Sequence, residues 1–118
     1  MLQTLAYSPG QTATIFLETL DGYGQRANSI GIDGYTVPTI TRLVFPNLTL
    51  AAGYPVPMVK LDTGLYYYQF ILPTGAAAVG SYLVDIEYIN PTTGYINTGL
   101  YQINVNAPYG LYGLTSVG

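Results

Sequence analysis

The chain contains no cysteine, no histidine and no tryptophan, and among its 118 residues only three are Lys or Arg and six are Asp or Glu. Without cysteine there is no disulfide, no thiolate zinc site and no iron–sulfur ligand. Without histidine there is no imidazole to act as base, acid or metal ligand near neutral pH. The charged share is 8%, against roughly 25% in an ordinary domain. Three cations cannot neutralise a row of phosphates, so no nucleic-acid partner is expected. No apolar run approaches the ~20 residues that span a bilayer, and no membrane association is expected. The first residues, Met1-Leu2-Gln3-Thr4-Leu5-Ala6-Tyr7, lack a basic start followed by a long apolar segment, so no secretory signal is expected.

Catalysis has little to work with. The charged inventory is Glu18, Asp21, Arg26, Asp33, Arg42, Lys60, Asp62, Asp85 and Glu87. A neutral-pH base would have to be a carboxylate of raised pKa. The best pair by spacing is Asp85 with Glu87, and an amphipathic strand presenting both to solvent accounts for them without chemistry. Asp21 and Asp33 each precede a glycine. They offer isolated oxygens where calcium needs six to eight, and Asp-Gly is common turn chemistry. Asn47-Leu48-Thr49 spells a glycosylation sequon, which means nothing without export. The expectation is a non-enzyme with no cofactor and no metal.

What the chain does have is apolar and aromatic. Hydrophobic residues make up 49% of it, and there are 13 tyrosines, 14 glycines and 8 prolines. That is enough to build one core in a domain of this length. Period-two alternation recurs between turn residues, the signature of an all-β fold. In 12–18, Ala13, Ile15 and Leu17 share one face. In 65–72, Tyr66, Tyr68 and Phe70 do, leaving Tyr67 on the other. In 80–90, Tyr82, Val84, Ile86 and Tyr88 oppose Ser81, Asp85 and Glu87. In 98–106, Tyr101, Ile103 and Val105 face inward.

Further strands are expected at 39–45, at 48–52 and at 58–61, the last at an edge because Pro55 and Pro57 donate no ladder bond. Residues 25–38 read as a long irregular connection, and 75–79 as too short and glycine-bound for a helix. About seven strands with turns every 8–12 residues predict an antiparallel two-sheet sandwich over 1–106. Residues 107–118 break the pattern and read as an extended arm.

Three stretches carry a resemblance: Tyr7-Ser8-Pro9-Gly10-Gln11-Thr12-Ala13-Thr14-Ile15, Asp62-Thr63-Gly64-Leu65-Tyr66, and Gly80-Ser81-Tyr82-Leu83-Val84-Asp85-Ile86. A Pro-Gly start before a long strand and Gly-x-Tyr starts before two later ones resemble the immunoglobulin-like and macroglobulin-like sandwich modules of bacterial surface proteins and phage virions. The resemblance implies an Ig-like sandwich and a tyrosine corner at Tyr82, whose hydroxyl would turn back to the chain. It also implies a virion setting, as capsid decoration, cement, neck or tail protein. The disulfide and core Trp of antibody domains are absent.

Two features point to binding. The arm has no charge yet carries Tyr109, Leu111, Tyr112, Leu114 and Val117. Such a segment can lie along a neighbouring subunit, or fold back over its own sheet edge. Loop tyrosines, Tyr23 and Tyr54 foremost, offer rigid contact area with a polar tip. The expected partners are protein subunits of a larger assembly, such as a major capsid or tail protein, or copies of the chain itself. The alternative is an adhesin or carbohydrate-binding module of an extracellular surface protein.

Overall fold

The computed structural model describes residues 2–106. They form eight strands: β1 (Leu2–Tyr7), β2 (Thr12–Glu18), β3 (Thr39–Val44), β4 (Val56–Pro57), β5 (Val59–Asp62), β6 (Leu65–Ile71), β7 (Gly80–Ile89) and β8 (Ile96–Val105). A large sheet runs β1-β8-β7-β3-β4 and a small one β2-β6-β5. The fold is all-β, with two sheets enclosing one core.

Alternation placed the long strands correctly because each has one face against the opposite sheet. Ala13 and Ile15 of β2, Tyr66 of β6, Tyr82, Val84 and Ile86 of β7, and Ile103 and Val105 of β8 are all buried. Burying these side chains is the main favourable contribution, about 1.5–3 kcal/mol for each large one. The core tyrosines also satisfy their hydroxyls. Tyr82 donates to the Ala78 carbonyl at 2.9 Å within the 3-10 turn Ala76–Ala78, closing the corner the resemblance implied. Tyr66 accepts from the Ser29 N–H at 3.1 Å and donates to the Ser29 carbonyl at 3.2 Å. That pins the irregular 25–38 connection over one end of the core.

The structure departs from the sequence reading at several points. The first strand was not foreseen: β1 pairs parallel with β8, from Leu2↔Leu100 to Tyr7↔Val105, so one pair in the sandwich is not antiparallel. Its residues do not alternate cleanly, and its partner lies at the far end of the chain. No strand forms at 48–52. Leu48 takes φ 68°, the chain turns there, and only the bridge Val44↔Leu50 remains.

The strand expected at 58–61 does form at an edge, as β5, but the proline stretch before it makes a separate piece that was not foreseen. Val56–Pro57 is an edge of the large sheet, buried Met58 crosses between the layers, and Val59–Asp62 is an edge of the small sheet. The β5–β6 turn sits hard against the 19–27 segment. Gly64 has φ +66°, and a Cβ there would lie 2.7 Å from the Ala27 nitrogen and 2.8 Å from the Thr19 carbonyl oxygen. Only glycine fits such an approach.

Candidate functional site

The two sheets expose different outer faces. On the small sheet the outward positions are Thr12, Thr14, Phe16 and Glu18 of β2, Leu65, Tyr67, Gln69 and Ile71 of β6, and Val59 and Leu61 of β5, as the register Phe16↔Tyr67↔Val59 requires. Ordinary solvent faces of antiparallel sheets are polar. Here Phe16 is 51% exposed, Leu61 56% and Ile71 75%, with Val59 exposed as well. Phe16 and Tyr67 pair across the strands with ring centroids 6.4 Å apart, tilted 46°. Together with Thr14, Leu61 and Gln69 they line a shallow hollow of about 270 Å³. The Gln69 amide donates to the Thr14 hydroxyl at 3.1 Å at the side of the hollow. Charge is confined to the margin, where Glu18 pairs with Arg26 at 2.7 Å.

The two edges of this sheet also differ. Thr14 and Phe16 turn their backbone groups away from β6, and tyrosines meet them there. The Thr14 N–H donates to the Tyr7 hydroxyl at 3.0 Å, that hydroxyl donates to the Thr14 carbonyl at 3.2 Å, and the Tyr101 hydroxyl donates to the Phe16 carbonyl. The β2 edge is thereby closed to another strand. On β5, Val59, Lys60, Leu61 and Asp62 are all exposed. Among the described residues no loop or turn backbone bond reaches Val59, Lys60 or Leu61 from outside the sheet.

Of the residues singled out in the sequence, Tyr23 is 94% exposed, on the connection that follows β2. Asp21 shapes that turn by accepting from the Tyr23 and Gln25 N–H groups at 2.8 and 3.1 Å. Tyr95 and Ile96 are exposed on the β7–β8 hairpin at the same end. Tyr54 is placed differently. It is half-buried against the core, with its hydroxyl 2.7 Å from that of Tyr68 and the rings edge to face at 6.2 Å. Burial first, and the Tyr68 hydroxyl second, push its phenol well above the usual tyrosine range. Tyr23 and Tyr54 therefore belong to separate connections and do not form one surface. Tyr109, Leu111, Tyr112, Leu114 and Val117 lie outside the described residues.

Asp85, half of the carboxylate pair considered for catalysis, binds the Arg42 guanidinium at 2.8 and 2.5 Å. It works as a surface ion pair on the large sheet. Among the described residues no three acidic side chains converge. Sequence reasoning missed Phe16, Val59, Leu61 and Ile71. The available signal was an apolar residue at the outward phase of a strand whose inward phase was already apolar. No protein-family model, no curated protein and no solved structure matches the chain.

Proposed function

We propose that this chain is a non-enzymatic assembly protein that works by holding neighbouring protein subunits. The observation that carries the reading is the cluster of exposed apolar side chains on the outer face of the small sheet, with charge only at its margin. A soluble protein does not spend Phe16, Val59, Leu61 and Ile71 on solvent at a single site unless another surface covers them. Aromatic and aliphatic anchors around a shallow, preformed hollow are what a protein interface uses at its centre. The exposed Tyr23, Tyr95 and Ile96 at the hairpin end offer a second contact region.

The strand order, with a parallel first-to-last pair and the tyrosine corner at Tyr82, supports the Ig-like reading. The virion setting, as capsid decoration or a neck or tail component, rests on the resemblance of the turn pattern alone.

A photoreactive amino acid in place of Phe16, in the full chain and in the cells or particles where it resides, tests the reading. Cross-links to a protein at that position are expected, with none from a control at Gln102 on the opposite sheet. Absence of any protein cross-link from Phe16 overturns it. The adhesin or carbohydrate alternative draws on the Phe16–Tyr67 aromatics beside Gln69 and Thr14, and binding on a glycan array that is lost in Tyr67→Ala would favour it instead.

A further inference from the structure

We propose that the outer face of β2-β6-β5, with the open edge of β5, is the seat for residues 107–118 of a second copy of this chain. The proposal rests on the assembly reading above and names the partner.

Four observations converge on that occupant. First, the chemistry matches. The outward centre of the seat, around Phe16, Tyr67 and Leu61, carries no charge. Charge is confined to Glu18 and Asp62 at its ends and Lys60 on the β5 edge, and residues 107–118 contain no charged side chain. Docking over that centre strips no ion of water, and each apolar side chain that leaves solvent on either surface is a gain.

Second, nothing on the molecule selects a partner of opposite charge. Arg26 is paired with Glu18 and Arg42 with Asp85. One lysine and four carboxylates remain, Lys60 against Asp21, Asp33, Asp62 and Glu87. Copies of the chain meet with little steering and little repulsion.

Third, the edges are asymmetric. Tyr7 and Tyr101 close β2, whereas β5 leaves backbone donors and acceptors free for an extended segment. The part of the arm added there lays outward side chains beside Val59, and the remainder, leaving the edge, can cross the outer face over Leu61, Tyr67 and Phe16.

Fourth, the exit point favours another copy's seat. The chain leaves at Asn106, whose N–H donates to the Tyr7 carbonyl at 2.9 Å at the end of the large sheet. Its own seat is on the far side of the other sheet. Crossing ~10 Å between layers plus the outer side-chain layer, at ~3.3 Å per residue, would use about five residues. That stretch includes Tyr109 and Leu111, so the seat would be half filled. A second copy can present Tyr109, Leu111, Tyr112, Leu114 and Val117 together. Arm and seat are different surfaces, so the contact is head-to-tail and propagates or closes into a ring.

Two full-length variants test this. Leu111→Asp with Leu114→Asp spoils the arm and keeps the seat; Phe16→Asp with Leu61→Asp spoils the seat and keeps the arm. By sedimentation velocity, the unaltered chain should show concentration-dependent species larger than one copy. Each variant alone should be monomeric, its apparent affinity lowered by roughly 100-fold or more. Their equimolar mixture should form a two-chain species and nothing larger, because only one intact arm and one intact seat remain.

Circular dichroism melts confirm that the variants fold, and Ile71→Asp serves as a milder seat variant if Phe16→Asp does not. Assembly by either variant alone, or no pairing in the mixture, overturns the proposal. So does a monomeric unaltered chain whose β5 amides exchange faster when the arm is spoiled, which would place the arm on its own sandwich. If the unaltered chain is monomeric while a photoreactive group at position 16 still cross-links a different protein, this proposal fails and the assembly reading stands. No cross-link to any protein fails both.

Discussion

Across the outer face of the large sheet, side chains answer one another. Arg42 pairs with Asp85, the Ser81 hydroxyl donates to the Asn104 side chain at 2.9 Å, and the Gln102 amide donates to the same oxygen at 2.9 Å. Across the outer face of the small sheet, Phe16, Leu61 and Ile71 meet water with only the Gln69–Thr14 bond between them. Both sheets bury tyrosines and aliphatics on their inner faces, so their contributions to the core are alike. The difference lies in their outer side chains: those named on the large sheet satisfy one another, while the small sheet's exposed anchors form the surface proposed above as an interface.

The comparison requires that the small sheet be held from within and not by its outer residues. Tyr66 is the test of largest effect. Replacing it with Ala removes a fully buried ring and both bonds to Ser29, and should cost about 3–5 kcal/mol in a urea melt. A loss below ~1 kcal/mol would show that the inner face does not hold this sheet. Tyr82→Phe asks the same of the large sheet. It removes only the corner bond to Ala78 and should lower stability by about 1–2 kcal/mol with the fold intact.

Alkali probes the inner layer as a whole. Burial holds the Tyr82 and Tyr101 phenols above their ordinary range, and burial with the Tyr68 hydroxyl does so for Tyr54. In the folded chain they keep protons that the unfolded chain releases near pH ~10. Their contribution is complete below that pH and is lost as pH rises from it through the higher pKa of the folded chain. Denaturant melts from pH 8 upward should therefore be flat and then fall above about pH 10, and phenolate absorbance should rise with unfolding. Ionisation of the full complement of tyrosines without unfolding would contradict the burial of these rings.

The smallest effects separate the two outer faces themselves. Arg42→Gln on the large sheet should cost no more than about 1 kcal/mol, as exposed ion pairs do. Phe16→Thr on the small sheet should cost about 0.5 kcal/mol, the scale of its cross-strand pairing with Tyr67. A substantially larger loss from Phe16→Thr in thermal melts would make that side chain part of the fold and not a surface kept for binding.

Much of the architecture was legible from alternation. The strands around Ile15, Tyr66, Val84 and Ile103 each show one apolar phase, and each of these side chains is buried. The same rule located Tyr82 on the inner face; that its hydroxyl turns back to the chain is an implication of the resemblance, and the acceptor is the Ala78 carbonyl. Alternation failed at β1, where pairing with residues nearly a hundred positions away replaces a local signal. It failed also at 48–52, where apolar residues serve a turn. The candidate surface was harder still. Tyr67 was legible as outward-facing, but its meeting with Phe16 and Leu61 depends on which strands become neighbours. Tyr54, which reads as a loop aromatic, is drawn inward by Tyr68.

By itself, the sequence settled the class of the fold. Its short-range pattern of apolar and turn residues leaves no other way to bury those side chains, and its want of cysteine and histidine limits the chemistry on offer. Tertiary structure alone decided where the unburied aromatics would gather, which sheet edge tyrosine hydroxyls would close and which would stay open. Those are properties of strand order and register, and strand order depends on long-range pairings that no local stretch of sequence encodes.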